Sequence, residues 1–121
     1  MTKEDNEELL LKDLCARLPY KVKISIPGLW TSKERVETLT EIFKGDDDLY
    51  RVNNSGHLVR YIKPYLFPLS TISNETLEKI SAFVDAQTNH VIMEFFNSRH
   101  IDYRGLIEKG LAIDATGLDI Y

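Results

Sequence analysis

The segment Tyr20–Pro27, YKVKISIP, alternates without a break. Val22, Ile24 and Ile26 fall on one side, and Lys21, Lys23 and Ser25 on the other. A period of two is that of an extended chain, so the segment predicts a half-buried β-strand and requires a sheet with an apolar face. Pro27 and Gly28 end it. A helical pattern precedes it. Asp5 with Glu8 reads as a capping box, and Leu10, Leu11, Leu14, Cys15 and Leu18 repeat at spacings of three and four until Pro19 stops the helix.

After the strand, residues 31–44 carry two signals. Thr31 and Glu34 suit a helix start and Gly45 a helix stop, but the run is also rich in β-branched residues. A strand from about Val36 is favoured, because a meander comes next. Gly45–Asp48 reads as a turn, and Leu49–Ile62 as two short strands joined at Asn53–Gly56. Pro64 and Pro68 then predict an extended or edge segment with Tyr65, Leu66 and Phe67 gripping the core. Residues 72–86 predict a helix capped by Ser73. Asn89 opens a third helix, and Asp102 caps a short fourth one closed by Gly110. The expected fold is a single α+β domain over residues 1–121. It has an N-terminal helix, a small antiparallel β-meander with room for a partly open barrel, and C-terminal helices.

Composition narrows the function. The chain has 121 residues, 43% hydrophobic and 28% charged, enough for one core without staples. Cys15 is the one cysteine, so no internal disulfide forms, which fits a reducing, cytoplasmic setting. No apolar run approaches the ~18 residues of a membrane span. A net charge of −4 disfavours general adhesion to nucleic acid. His57, His90 and His100 lack zinc-ligand spacing, the three aspartates at 46–48 do not match a calcium loop, and the glycines form no phosphate loop. No metal or cofactor is expected.

The residues with chemistry cluster between Arg99 and Arg104. His100, Asp102 and Arg104 could form an acid–base site, but no nucleophile is tied to them. The commoner cause of such residues is a capped joint between two helices, with Arg99 and His100 against a helix C-terminus. Arg99, Tyr103 and Arg104 would also make a recognition face, and Trp30 a partner anchor. A separate set, Tyr50, Arg51, Arg60, Tyr61 and Lys63, interleaves aromatics with cations as single-strand binders do. A packed sheet with a solvated cationic face explains that set as well. Cys15, on the apolar face of the first helix, reads as a buried structural thiol.

Three stretches together carry a resemblance: LLLKDLCARLPYKVK at 9–23, IKPYLFPLS at 62–70 and NSRHIDYRGLIEKGLAID at 97–114. In content and order they resemble a family of short uncharacterised proteins of Bacteroidetes genomes, often in prophage-like or other mobile regions. Family members carry a histidine doublet where this chain has Arg99–His100, and an aromatic where it has Ile101. The resemblance implies a mobile-element accessory protein and no chemistry. The expectation is a non-enzymatic protein acting by protein–protein contact. Inhibition of a host or defence factor is the narrower form. Single-stranded nucleic-acid binding and an enzyme centred on His100, Asp102 and Arg104 are the alternatives.

Overall fold

The computed structural model describes residues 3–26, 35–54, 56–71 and 89–121. Helix α1 (Lys3–Arg17) leads through a 3-10 turn (Leu18–Tyr20) into β1 (Lys23–Ile26) and β2 (Arg35–Thr38). Then come β3 (Ile42–Lys44), β4 (Tyr50–Val52), β5 (His57–Leu58), a second 3-10 turn (Val59–Tyr61) and β6 (Lys63–Pro68). A third 3-10 turn (Leu69–Thr71), helix α2 (Asn89–Ser98), β7 (Ile101–Asp102) and β8 (Ile113–Asp114) complete the order. The fold is α+β. The expected helix over 72–86 lies outside the described residues, and so does Trp30.

Among the described residues, the strands form two sheets that do not close into a barrel. One runs β2-β1-β6-β7 with β8 also on β6; the other is the meander β3-β4-β5. The alternating segment forms β1 with Val22, Ile24 and Ile26 buried, but the strand is not half-buried as expected, because Ser25 on the opposite side is buried as well. The ambiguous 31–44 region is strand where it is described, in two pieces. The chain leaves one sheet after Thr38 and enters the other at Ile42, and Asn53 makes the corner. It adopts a left-handed backbone at φ 56, which Asn tolerates better than most residues. Its side-chain oxygen accepts the Thr40 amide at 2.8 Å, and its nitrogen donates to the Thr38 carbonyl at 2.9 Å.

β6 corrects the expectation of an edge segment. It is the hub of the larger sheet, antiparallel to β1 and parallel to β7 and β8. The prolines are tolerated because of the side they face. The Phe67 amide donates to the His100 carbonyl next to β7, while the Leu66 carbonyl accepts the Ala115 amide next to β8. Successive residues face opposite edges, so Pro64 and Pro68 turn their missing N–H away from the β1 and β7 side.

The core joins Leu10 and Leu14 of α1 to Val22, Ile24 and Ile26 of β1, with Leu39, Val52, Val59, Ile62, Leu66 and Leu106. Each such side chain contributes about 1.5–3 kcal/mol by burial. α1 begins at Lys3, so Asp5 lies inside its first turn instead of capping it. Cys15 is exposed, which corrects its reading as a buried thiol. Leu10 and Leu14 set the inward direction of α1, and Cys15 lies one residue past that line.

Candidate functional site

The joint between α2 and β7 is built on a reversal at His100. α2 ends at Ser98, and His100 takes a left-handed backbone at φ 59. Its amide donates to the Asn97 carbonyl and its carbonyl accepts from Phe67, so the chain turns straight into the sheet. Asp102 then works as a cap. One carboxylate oxygen accepts the Leu106 amide and the other the Ile107 amide, each at 2.9 Å. The capped segment is a turn, not the expected fourth helix. The Leu111 amide returns to the Leu106 carbonyl, and Gly110 takes φ 74. Gly105 and Gly110 are both left-handed and leave too few residues between them for a helix.

Arg104 turns inward from this joint and meets α1. It donates to Asp13 at 2.7 Å. Arg17, one turn beyond Asp13 on the helix, donates to the other Asp13 oxygen at 2.8 Å and to the Ile101 carbonyl at 2.6 Å. Asp13 and Arg17 are both 0% exposed. One carboxylate thus holds two guanidiniums, tying α1 to the joint across most of the sequence. The Tyr103 ring packs into the same cluster. It stacks on Phe96 at 5.6 Å and lies beneath Arg104 at 4.5 Å and Arg17 at 5.4 Å. Sequence reasoning missed Asp13 and Arg17. The available signal was their position on the stripe of Leu10 and Leu14, where a charged pair four apart must be buried together.

His100 goes elsewhere. Its ring stacks on Tyr121 at 4.0 Å, nearly parallel. The Tyr121 hydroxyl donates to the Tyr65 carbonyl at 2.7 Å and accepts the Lys23 amide at 2.8 Å. It splices the β1 and β6 backbones where their ladder opens. Burial first, and the positive charge of Arg17 second, lower the His100 pKa from 6.5 to about 4. The folded protein therefore holds this imidazole neutral where the unfolded chain would charge it. That stability is complete above pH 6.5 and is lost as pH falls from 6.5 towards 4. In thermal unfolding over that range, the parent should lose more stability than His100→Asn, whose asparagine keeps the left-handed turn without a titrating ring. Equal losses would contradict this.

The proposed acid–base trio therefore does not converge. Asp102 faces backbone amides, Arg104 faces Asp13, and His100 faces Tyr121. Asp102 and Tyr103 do border a recess of about 340 Å³ with Pro68, Leu69 and Ser70, but neither His100 nor Arg104 lines it. Of the expected recognition face, Arg99 is exposed and lies over the Phe95 ring at 4.9 Å. Tyr103 and Arg104 are engaged in the Asp13 cluster.

The aromatic and cationic set is divided. Tyr50 and Arg51 sit on β4, and Arg51 is held by Asp47 at 2.7 Å and the Gly56 carbonyl at 2.9 Å. Asp47 thereby gives the aspartate turn a structural task. Among the described residues, no cluster of potential ligands could hold a metal ion. Arg60 and Tyr61 form the second 3-10 turn, and the exposed Lys63 opens β6. Arg60 pairs with Glu7 of α1 at 3.6 Å. Between them lies a groove of about 370 Å³ lined by Asn6, Glu7, Leu10, Arg60, Tyr61 and Leu111. Tyr61 is 61% exposed there. Among the described residues, no helix is long and apolar enough to cross a membrane. No protein-family model, curated protein or solved structure matches the chain.

Proposed function

We propose that this protein is a non-enzymatic binding protein that acts through protein–protein contact. The observation that carries this reading is one exposed tyrosine at the rim of a recess. Tyr61 stands out at the groove between α1 and the second 3-10 turn, beside Arg60 and above the buried Leu10. Tyrosine and arginine beside an apolar floor are the composition of a binding hot spot. The joint at 99–104 offers less, because its carboxylate and its inner arginine are already bonded within the fold.

The acidic balance of the chain, −4, suits a basic partner, and complementary charge speeds encounter. With the resemblance to mobile-element proteins, the narrower reading is an inhibitor that covers a basic surface on a host or defence factor. Single-strand binding through Tyr50, Arg51, Arg60, Tyr61 and Lys63 is the second reading. The exposure of Tyr50 and Tyr61 favours it; the pairing of Arg51 with Asp47 and of Arg60 with Glu7 weighs against it.

Capture of partners from a host lysate by the tagged protein, with and without nuclease, separates the two. A stoichiometric protein that survives nuclease is the expected result. Partners that disappear with nuclease would replace protein contact by single-strand binding, with affinity falling steeply as salt rises. No partner in either arm would overturn both.

A further inference from the structure

Among the described residues, nothing pairs with the outer edge of β2. On its inner side Val36 stands opposite Ser25 and Glu37 opposite Ile24 of β1. The Leu39 amide donates to the Val22 carbonyl at 2.9 Å. Bonded pairs alternate along an antiparallel ladder, so the backbone groups of Arg35, Glu37 and Leu39 face β1 and those of Val36 and Thr38 face outward. Consistent with this, the Thr38 carbonyl accepts the Asn53 side chain from outside the ladder at 2.9 Å. That leaves the Val36 amide and carbonyl at the open edge, with a side chain 45% exposed.

Arg35 and Glu37 flank Val36 on one face and pair with each other at 2.6 Å, the arginine side chain being 61% exposed. The order Arg-Val-Glu reversed is Glu-Val-Arg. A second copy laid antiparallel, with Val36 on the two-fold axis, sets Arg35 of each copy opposite Glu37 of the other. The two Val36 residues exchange both backbone hydrogen bonds. The Arg–Glu pairs then occupy the non-hydrogen-bonded positions, where facing side chains approach most closely.

We propose that β2 is a self-association edge, through which two copies of this chain pair as antiparallel strands into an isologous dimer. This edge carries opposite charges in mirrored order, so that two copies laid antiparallel complement each other. Val36 alone offers both backbone groups outward, since the Thr38 carbonyl is held by Asn53, so the edge is short and the dimer is reversible. Two-fold pairing uses the same edge on both copies, so assembly stops at two. The dimer does not depend on the Tyr61 groove being a binding site.

Sedimentation of the full chain across a concentration series tests this. The mass should rise from 14.0 kDa towards twice that value and no further. Arg35→Glu faces two carboxylates across the axis twice per dimer, and should weaken association by about tenfold or more. Glu37→Arg should do the same with two guanidiniums. The double exchange, Arg35→Glu with Glu37→Arg, restores both pairs and should bring the dissociation constant back to within about threefold. Val36→Pro removes the outward amide while keeping the ladder to β1, and should abolish the dimer if a single reversal fails to fold. A mass fixed at 14.0 kDa up to about 1 mM overturns the proposal. So does a dimer indifferent to the reversals and to Val36→Pro, or one that the double exchange does not restore.

Discussion

Asp13→Ala should lower the free energy of unfolding by about 3–5 kcal/mol, the cost of breaking a buried ion pair from one side. The carboxylate is wholly buried and receives Arg17 at 2.8 Å and Arg104 at 2.7 Å. Without it, two guanidiniums remain close together with no counter-charge, and Arg17 has no access to water. For a chain of this size the melting temperature should fall by roughly 10–20 °C. The charges are not required for stability as such. Asp13→Leu combined with Arg17→Met and Arg104→Met leaves nothing buried and unpaired, and should recover most of the loss. Urea unfolding followed by circular dichroism measures each variant. A cost below about 1 kcal/mol for Asp13→Ala, the range of an exposed pair, would mean that the cluster does not hold α1 to the joint.

Asp102→Ala should cost about 2–4 kcal/mol, because a buried and a half-buried amide lose a charged acceptor together. Both carboxylate oxygens are used, on Leu106 and Ile107, and the turn they fix places the fully buried Leu106 in the core. Asp102→Asn retains one acceptor oxygen and should fall between the parent and the alanine variant. Hydrogen exchange reports the effect locally, as faster exchange at the Leu106 and Ile107 amides. A variant that loses stability without faster exchange there would assign the effect to something other than the cap.

Local pattern is the part of this fold that can be read in the sequence. The alternation at Val22, Ile24 and Ile26 needs no partner to be recognised, and it forms β1. The apolar spacing of α1 and the cap chemistry of Asp102 are local in the same way. The strand preference from Val36 is correct, but the break at Leu39–Glu41 is not visible, because Asn53 supplies the corner from across the fold. The prolines of β6 mislead for a related reason. Their cost depends on which edge each residue faces, and that is set by β1, β7 and β8 together. Cys15 lies on the helical stripe in the sequence, whereas the burial of Leu10 and Leu14 fixes a direction that leaves it outside.

The candidate site is legible as a place and not as a set of contacts. The segment Arg99–Arg104 stands out for its density of polar residues, and a capped joint is the commoner explanation of such a segment. Asp102 has that role on a turn instead of a helix. The partner of Arg104 lies on α1, and nothing in the joint itself points to Asp13. The groove at Tyr61 draws on residues from α1, the second 3-10 turn and the C-terminal segment, so only the folded chain brings it together.

The most direct test of the central claim compares how the nuclease-resistant partner binds to the parent, to Tyr61→Ala and to Tyr103→Phe. The Tyr103 hydroxyl has no hydrogen-bond partner among the described residues, so its removal leaves the cluster and the fold in place. Tyr61→Ala should weaken binding by about 30-fold, the loss of one hot-spot side chain, while Tyr103→Phe should bind as the parent does. Parent-like binding by Tyr61→Ala would contradict the groove as the contact surface.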